Sequence, residues 1–262
     1  PGTPQETATM SGQISNRIAR MNDFVHRMNE VERDLTSEIV RPKDAATLIL
    51  IDRSGRVPKV LLGKRHERHM FMPGKFVFPG GGIDPSDKRM PVARPLDKHA
   101  EARLMERFHK ASPVRARALA LAAIRETCEE TGLLLGRPAQ AVNVPDDAWA
   151  PFAENKVLPD LGIIHFVGRA ITPPGRPRRY DARFFTMDAS AVAHRIEGVT
   201  GPDAELVELI WMPLTEAKQL DMPVVTSVML EELDVRIADG LSHDLPVPFY
   251  RMVRRNILRE LL

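Results

Sequence analysis

The chain has 262 residues, of which 43% are hydrophobic, so it is long enough to bury the core of one large domain or two small ones. The 37 lysine and arginine residues nearly balance the 35 aspartate and glutamate residues, and a net charge of +2 gives no bulk electrostatic support for nucleic-acid binding. A single cysteine, Cys128, excludes an intramolecular disulfide framework and is typical of a reducing compartment. No apolar run approaches the roughly 18 residues of a membrane span, and the polar first residues lack the apolar region of a signal peptide. We therefore expect a cytoplasmic globular protein whose partners include neither nucleic acid nor a membrane.

The first part of the chain predicts a helix followed by a β-hairpin. Apolar residues recur at roughly helical spacing through residues 14–39, and Pro42 ends this pattern. Residues 45–51 (AATLILI) are a short apolar run rich in strand formers, and residues 59–65 (KVLLGKR) fit the returning strand. Residues 71–87 predict a further strand between glycine- and proline-rich loops.

A long helix is predicted to begin at Pro113. Ser112 is a plausible N-cap, and proline is favoured at the first helical position. The apolar pattern continues to about Thr131, where Gly132 closes the helix. Before this helix, the charged residues 97–110 also have a helical pattern.

The second half of the chain mixes predicted strands and helices. The predicted strands are residues 162–172, 179–188 and 204–214, and the predicted helices are residues 215–220 and 224–240. The basic tail is ambiguous and is compatible with a solvated helix face or a contact in a homodimer. Strands with helices on their faces predict an α/β or α+β sandwich, in one domain with an insertion rather than in two domains.

The long helix carries an unusual group of carboxylates. Glu126, Glu129 and Glu130 are spaced i, i+3 and i+4, so they share one face and repel one another. A solvated face is the simplest interpretation of such a group. However, the residues before it are almost all alanine and leucine, so this helix packs against a core, and a glycine-rich loop lies upstream. Clustered carboxylates become favourable when they share a divalent cation such as Mg²⁺, and such a site suits displacement at phosphorus.

Two separate stretches resemble the halves of the Nudix box. Residues 125–133 (RETCEETGL) are similar to its second half, R-E-U-x-E-E-x-G-U, where U is apolar and only Thr127 departs mildly. Residues 81–87 (GGIDPSD) are similar to the first half, G-x5-E, with Asp87 one methylene shorter than the glutamate. The family places seven residues between that glutamate and the arginine, whereas 37 residues lie between Asp87 and Arg125, an insertion of 30.

The resemblance implies a Nudix fold, an α/β/α sandwich built on a mixed sheet. We expect the Nudix domain over residues 44–240, with a helical insertion at residues 88–115. Residues 1–43 are expected to form an N-terminal tail and helix. Residues 241–262 are expected to form a C-terminal tail that packs on the domain.

The resemblance also implies a site for Mg²⁺ or Mn²⁺ and assigns roles within it. Glu129 and Glu130 are the implied principal ligands, Glu126 is a further ligand or a supporting group, and the Gly81 carbonyl is the backbone ligand. Arg125 is implied to orient the carboxylates through charge-assisted hydrogen bonds, although an ordinary surface arginine is the alternative. Asp87 is left between a supporting and a purely structural role.

The general base is harder to assign, because the family often takes it from a loop outside the box. Glu205 is our choice, since it precedes Trp211 of a predicted strand by six residues. In some family members a box glutamate, here Glu129, serves instead. The alternatives are Glu208, Asp203 and Glu154. Any of these must reach the attacking water in its proton-accepting form.

Residues 61–81 resemble the signature of the coenzyme A pyrophosphohydrolases, L-L-T-x-R-S-x3-R-x3-G-x3-F-P-G-G. The residues in register are Leu61, Leu62, Arg65, Gly74, Phe78, Pro79, Gly80 and Gly81. Gly63, His66 and Met70 replace the threonine, the serine and the second arginine of the signature. The interrupted box and residues 179–185 (RYDARFF) also resemble a peroxisomal-type subgroup of these enzymes.

This second resemblance implies a small-molecule nucleotide substrate, coenzyme A or an acyl derivative, cleaved to 3′,5′-ADP and (acyl-)4′-phosphopantetheine. Arg65, Gly74, Phe78 and Arg183 are the implied substrate contacts. Packing in the core is the alternative for Phe78, and a solvated strand position is the alternative for Arg183. Two other functions stay open. They are hydrolysis of ADP-ribose, NADH or another nucleotide conjugate, and binding by an inactive Nudix-fold regulator.

Overall fold

A mixed nine-stranded sheet forms the centre of the computed structural model, which describes residue 23 and residues 25–30, 40–68 and 73–262. The described strands are β1 (Lys43–Asp52), β2 (Lys59–Arg65), β3 (Phe76–Val77), β4 (Gly80–Gly82), β5 (Leu133–Leu135), β6 (Arg137–Pro138), β7 (Val157–Leu158), β8 (His165–Ile171), β9 (Tyr180–Asp188), β10 (Val192–Arg195), β11 (Leu206–Pro213), β12 (Pro248–Val253) and β13 (Asn256–Leu261). The α-helices that follow the first strand are α1 (Lys98–Met105), α2 (Pro113–Thr131), α3 (Ala150–Glu154), α4 (Leu214–Ala217) and α5 (Val224–Ala238).

Seven strands of the main sheet lie side by side in the order β11-β2-β1-β9-β8-β12-β13, with β3 beside β2 and β4 beside β1. β1 and β2 are antiparallel, with Ile51 opposite Val60, which confirms the predicted hairpin. β1 and β9 are parallel, with Ala46 opposite Arg183, whereas β9 and β8 are antiparallel. The sheet is therefore mixed, as the resemblance implied.

Helices α2 and α5 cover opposite faces of this sheet. Alternation along β1 sends Leu48 and Leu50 into the core that α2 shares, and Ile49 and Ile51 into the core that α5 shares. All four side chains are buried. Burial on both faces explains why β1 is a continuous apolar run in the sequence. The three layers confirm the predicted α/β/α sandwich.

Helix α2 begins and ends where the sequence predicted. The Ser112 Oγ accepts a hydrogen bond from the Arg115 N–H at 3.3 Å, and Pro113 occupies the first turn. Gly132 ends the helix with a φ of 74°, a conformation that glycine adopts at little cost. A side chain at Gly132 would also collide with the Ile196 carbonyl, so no larger residue fits there.

The insertion at residues 88–115 contains less helix than the sequence predicted. Helix α1 ends at Met105 rather than near residue 110. The reason is that Arg107 and Lys110 have positive φ angles of 49° and 53°, which a right-handed helix cannot contain. Residues 106–112, which join α1 to α2, are called the Phe108 loop below.

The C-terminal tail is a β-hairpin, so its interpretation as a helix face is wrong. β12 runs parallel to β8, with Phe249 opposite Arg169, and β13 returns beside β12. Arg254 and Arg255 form the turn, with φ angles of 46° and 72°. Two-residue hairpin turns with two positive φ angles favour Asn-Gly, so these arginines carried no turn signal in the sequence.

The N-terminal helix is described only in part. Residues 25–30 are helical, and apart from residue 23 the rest of the predicted helix lies outside the described residues. Asn29 Oδ1 accepts a hydrogen bond from the Ile257 N–H at 2.8 Å, so this helical segment lies against β13. Within the described ranges, no helix has the length and apolarity needed to cross a membrane.

Candidate active site

A buried ion pair joins the two stretches of sequence that resemble the halves of the Nudix box. The Arg125 Nε of α2 lies 2.9 Å from the Asp87 Oδ1, and both side chains are buried. Asp87 also accepts a hydrogen bond from the Asp84 N–H at 2.7 Å, as part of a reciprocal cap on the short 3₁₀ helix 85–88. Burial raises the pKa of Asp87 and Arg125 opposes that effect. Asp87 therefore supports Arg125 and lies away from solvent.

Arg125 holds two of the box carboxylates in place. Its Nη1 lies 2.9 Å from the Glu129 Oε2 and 3.0 Å from the Glu126 Oε1, and its Nη2 donates to the Gly82 carbonyl at 2.8 Å. Burial alone would lower the pKa of Arg125, but Asp87 and the two glutamates outweigh it and raise that pKa, so the guanidinium stays charged. Arg125 is therefore not an ordinary surface arginine, and its role in orienting the carboxylates stays a prediction.

Glu126 lies directly against the backbone of β4. A Cβ atom at Gly81 would collide with the Glu126 carboxylate, so the absence of a side chain lets carboxylate and backbone approach one another. Gly81 is itself fixed by pairing with Ala46 of β1. Burial raises the pKa of Glu126 to about 7, and the charge of Glu129 adds to the rise against the opposing charge of Arg125.

Glu130 and Glu205 complete the group of carboxylates. Glu130 is 9% exposed and accepts a hydrogen bond from the Gly80 N–H at 3.2 Å. Burial, followed by the negative charges of Glu205 and Glu126, raises the pKa of Glu130 well above its usual range. Glu205 forms an ion pair with Arg65 at the end of β2. The structure thus brings the predicted base within electrostatic range of two box carboxylates.

The oxygen atoms of this group are of the chemical type that a hard divalent cation takes. Carboxylate and backbone carbonyl oxygens are the ligands that Mg²⁺ and Mn²⁺ take in proteins. A bound cation would also relieve the repulsion among Glu126, Glu130 and Glu205. Among the described residues, however, no three His, Cys, Asp or Glu side chains form a group that could hold a metal ion. The Glu129 carboxylate is paired with Arg125 in this structure.

The predicted substrate contacts lie in different surroundings. Arg65 is near the carboxylates through Glu205, and Gly74 occupies a turn with a φ of 67°. Phe78 is 5% exposed and packs in the core shared with α5, which favours the packing alternative over stacking on a ligand. Arg183 is fully buried and its Nη1 lies 2.9 Å from the Asp44 Oδ1, so its interpretation as a solvated strand residue is wrong.

The sequence analysis missed a second charged cluster. Arg169 pairs with Asp181 at 2.6 Å, and Arg115 pairs with Asp44 at 2.5 Å, beside the buried Arg183. These residues come from four different elements, and no local motif connects them. Only the pairing of β1, β8 and β9 under α2 brings them together.

No family model matches the sequence. Among solved structures, a NUDIX hydrolase from Alicyclobacillus acidocaldarius is similar with a TM-score of 0.57 and 26% identity, over 77% of this chain and 97% of that one. The NUDIX domain of Shewanella oneidensis NrtR, solved with ADP ribose, gives a TM-score of 0.42 and 15% identity, over 76% of this chain and 90% of that one. A C. elegans Ap4A hydrolase gives a TM-score of 0.39 and 13% identity, over 75% of this chain and 99% of that one.

Proposed function

We propose that the chain is a pyrophosphohydrolase with the Nudix fold, which its likeness to the Alicyclobacillus NUDIX hydrolase supports, and that it hydrolyses the diphosphate bond of coenzyme A or an acyl-coenzyme A. The products would be 3′,5′-ADP and (acyl-)4′-phosphopantetheine. The reaction would depend on Mg²⁺ or Mn²⁺.

One observation carries this proposal. The carboxylates of Glu126 and Glu130 lie against the Gly81 and Gly80 backbone, and the negative charge of Glu205 raises the pKa of both. Such a group is unfavourable by itself, because like charges at close range destabilise one another. It becomes favourable where a divalent cation and a diphosphate are handled together.

The residues would divide the work as follows. Glu126, Glu129, Glu130 and the Gly81 carbonyl would hold the cation, which when bound neutralises the diphosphate oxygens and makes water a better nucleophile. Arg125 would set the direction of Glu126 and Glu129 through its hydrogen bonds.

Glu205 would accept the proton of the attacking water, which its place beside the cluster supports. Arg65 would hold the Glu205 carboxylate in position through their ion pair.

The choice of coenzyme A rests on the register of residues 61–81 with the signature of its pyrophosphohydrolases. The second signature arginine is replaced by Met70, and this departure favours ADP-ribose or NADH as the alternative substrate. An inactive nucleotide-binding regulator is the third candidate, and the intact E-x-x-E-E pattern argues against it.

Mass spectrometry of the products tests the proposal. Coenzyme A, ADP-ribose and NADH would each be incubated with the protein and Mg²⁺, and separately with a chelator. We expect 3′,5′-ADP and 4′-phosphopantetheine from coenzyme A only when Mg²⁺ is present. Cleavage of only the other two substrates would overturn the coenzyme A assignment. Tight nucleotide binding with no cleavage of any would support the regulator.

A further inference from the structure

Three arginines converge on one aromatic ring beneath the insertion. The guanidinium carbons of Arg115, Arg183 and Arg169 lie 4.1, 4.3 and 5.7 Å from the centroid of Phe108. They belong to α2, β9 and β8, and Phe108 belongs to the Phe108 loop. The half-buried ring thus covers a cationic cluster that we call the arginine cluster, defined by Arg115, Arg169 and Arg183.

The arginine cluster has more positive charge than its partners neutralise. Asp44 pairs with Arg115 and Arg183, and Asp181 pairs with Arg169 and Arg183, so within the described part of the chain three cations share two carboxylates. The side chains of Arg169 and Arg183 are only 3% and 0% exposed. Charge buried without a full complement of counter-charge is unfavourable. A bound anion would correct this imbalance.

Arg183 also has hydrogen-bond donors without an acceptor among the residues that the structure describes. Its Nη1 contacts Asp44 and Asp181, whereas its Nε and Nη2 are buried and have no partner in these ranges. A guanidinium has five N–H donors in a fixed fork, and the face of a phenyl ring replaces an oxygen acceptor only weakly. Buried donors of this kind are uncommon and require an explanation.

The cover over the arginine cluster is held by weak acceptors. Arg169 donates to the Glu106 carbonyl at 3.0 Å, and Arg115 donates to the His109 carbonyl at 2.7 Å. Arg107 and Lys110 have positive φ angles, so the Phe108 loop keeps this path at a conformational cost. A phosphate group is a stronger, charged acceptor than these carbonyls and matches the arginine fork.

We propose that the arginine cluster is an anion site for a phosphate group, closed by the Phe108 loop and opened when Phe108 moves aside. The phosphate would accept the free N–H groups of Arg183 and replace the loop carbonyls on Arg115 and Arg169. Its source is either a phosphate monoester on a nucleotide or free phosphate. The site stands on this cluster alone and does not depend on the proposed hydrolase activity.

The cluster is close to the carboxylates, so a single nucleotide could span both. Ala46 of β1 lies opposite Arg183 on one side and opposite Gly81 on the other. Neighbouring strands are about 4.8 Å apart, which puts the backbones of Arg183 and Gly81 about 10 Å from one another. Two phosphate groups of one nucleotide can be separated by such a distance.

Calorimetric titration of the full chain with inorganic phosphate tests the site, in a chelator that keeps divalent cations from the carboxylates. The variants are Phe108→Ala, which removes the cover, and Arg115→Gln, which removes one cation. Arg178→Gln is the matched control, because Arg178 is exposed and outside the cluster. We expect phosphate affinity to rise about tenfold in Phe108→Ala, because moving the ring aside no longer costs free energy when phosphate binds. It should fall by a similar factor in Arg115→Gln and stay unchanged in the control.

Equal phosphate affinity in the wild-type chain, Phe108→Ala and Arg115→Gln would overturn the proposal. Circular dichroism would verify that each variant folds. If Arg115→Gln does not fold, a Phe108→Ala variant with the wild-type circular dichroism spectrum still decides the matter.

Competition with nucleotides identifies the source of the phosphate. Displacement by 3′,5′-ADP but not by AMP assigns the site to the extra phosphate of a nucleotide. Displacement by neither assigns it to free phosphate. Displacement by both, with an affinity that Arg115→Gln leaves unchanged, would mean that phosphate binds elsewhere and that the proposal is wrong.

Discussion

Asp87 Oδ1 and Arg125 Nε are 2.9 Å apart, although 37 residues separate them in the sequence. The ion pair lies beneath the carboxylates, with both side chains buried. It closes the insertion into a loop whose two ends meet at the site. The length of the insertion therefore does not disturb the carboxylates, because the residues that hold them remain in contact.

Asp87→Asn should destabilise the protein by about 1.5–3 kcal/mol, because it removes the buried charged partner of the Arg125 Nε while Glu126 and Glu129 remain paired with Arg125. Activity should fall as well, since Arg125 would no longer be held toward Glu126 and Glu129. Urea unfolding and kcat measure the two effects. Asp147→Asn, at an exposed position, is the control and should change neither. Wild-type stability in Asp87→Asn would refute the structural role of the ion pair.

Glu129→Gln should lower kcat by at least about 100-fold while leaving the melting temperature within a few degrees of wild type, because Glu129 is partly exposed and acts through the metal. The measurement is steady-state kinetics with saturating Mg²⁺. Glu216→Gln, on the exposed side of α4, serves as the control. Near-normal turnover by Glu129→Gln would remove this residue from the ligand set.

Glu205→Gln should reduce kcat by about 100- to 10,000-fold with little change in KM, the expected effect of losing a general base. Glu208→Gln is a matched control on the neighbouring strand β11 and is also the competing assignment. The two variants therefore give opposite results under the two hypotheses. A large loss in Glu208→Gln with normal turnover in Glu205→Gln would reverse the assignment.

The stability of the fold should depend on His165 below neutral pH. Burial, and after it the charges of His243 and Arg236, lowers the pKa of His165 to about 4 from a usual value of 6.5. Between these two pKa values the imidazole is protonated in the unfolded chain and neutral in the folded chain. The contribution of His165 to the free energy of unfolding is therefore fully present above about pH 6.5 and is lost as pH falls toward 4.

His165→Gln should remove this part of the pH dependence, on the order of 1 kcal/mol after solvent screening. Urea unfolding at pH 7 and pH 5 measures it. His194→Gln, at an exposed position on β10, should keep the wild-type slope. An unchanged slope in His165→Gln would show that other groups cause the dependence.

Local signals in the sequence predicted helix α2 well. Ser112, Pro113 and Gly132 each act within one turn of the helix end that they define, so no tertiary information was needed. The spacing of the glutamates likewise put them on one face. The hairpin of β12 and β13 was missed because Arg254 and Arg255 form its turn against their usual preference.

Burial of charged residues could not be predicted in the same way. The environment of Arg183 depends on Phe108, Asp44 and Arg115, which three other elements supply. The strand pattern around Arg183 in the sequence is equally consistent with a side chain exposed to solvent. The early end of α1 was missed for a related reason, since the Phe108 loop leaves the helical path to lie over these arginines.

The central claim is that the box carboxylates bind a divalent cation, and calorimetric titration with Mn²⁺ tests it most directly. The wild-type chain should bind Mn²⁺ saturably. Glu130→Gln should bind it at least about tenfold more weakly, and Glu216→Gln should match wild type. Equal Mn²⁺ affinity in the wild-type chain and Glu130→Gln, or no saturable binding by the wild-type chain, would contradict the account.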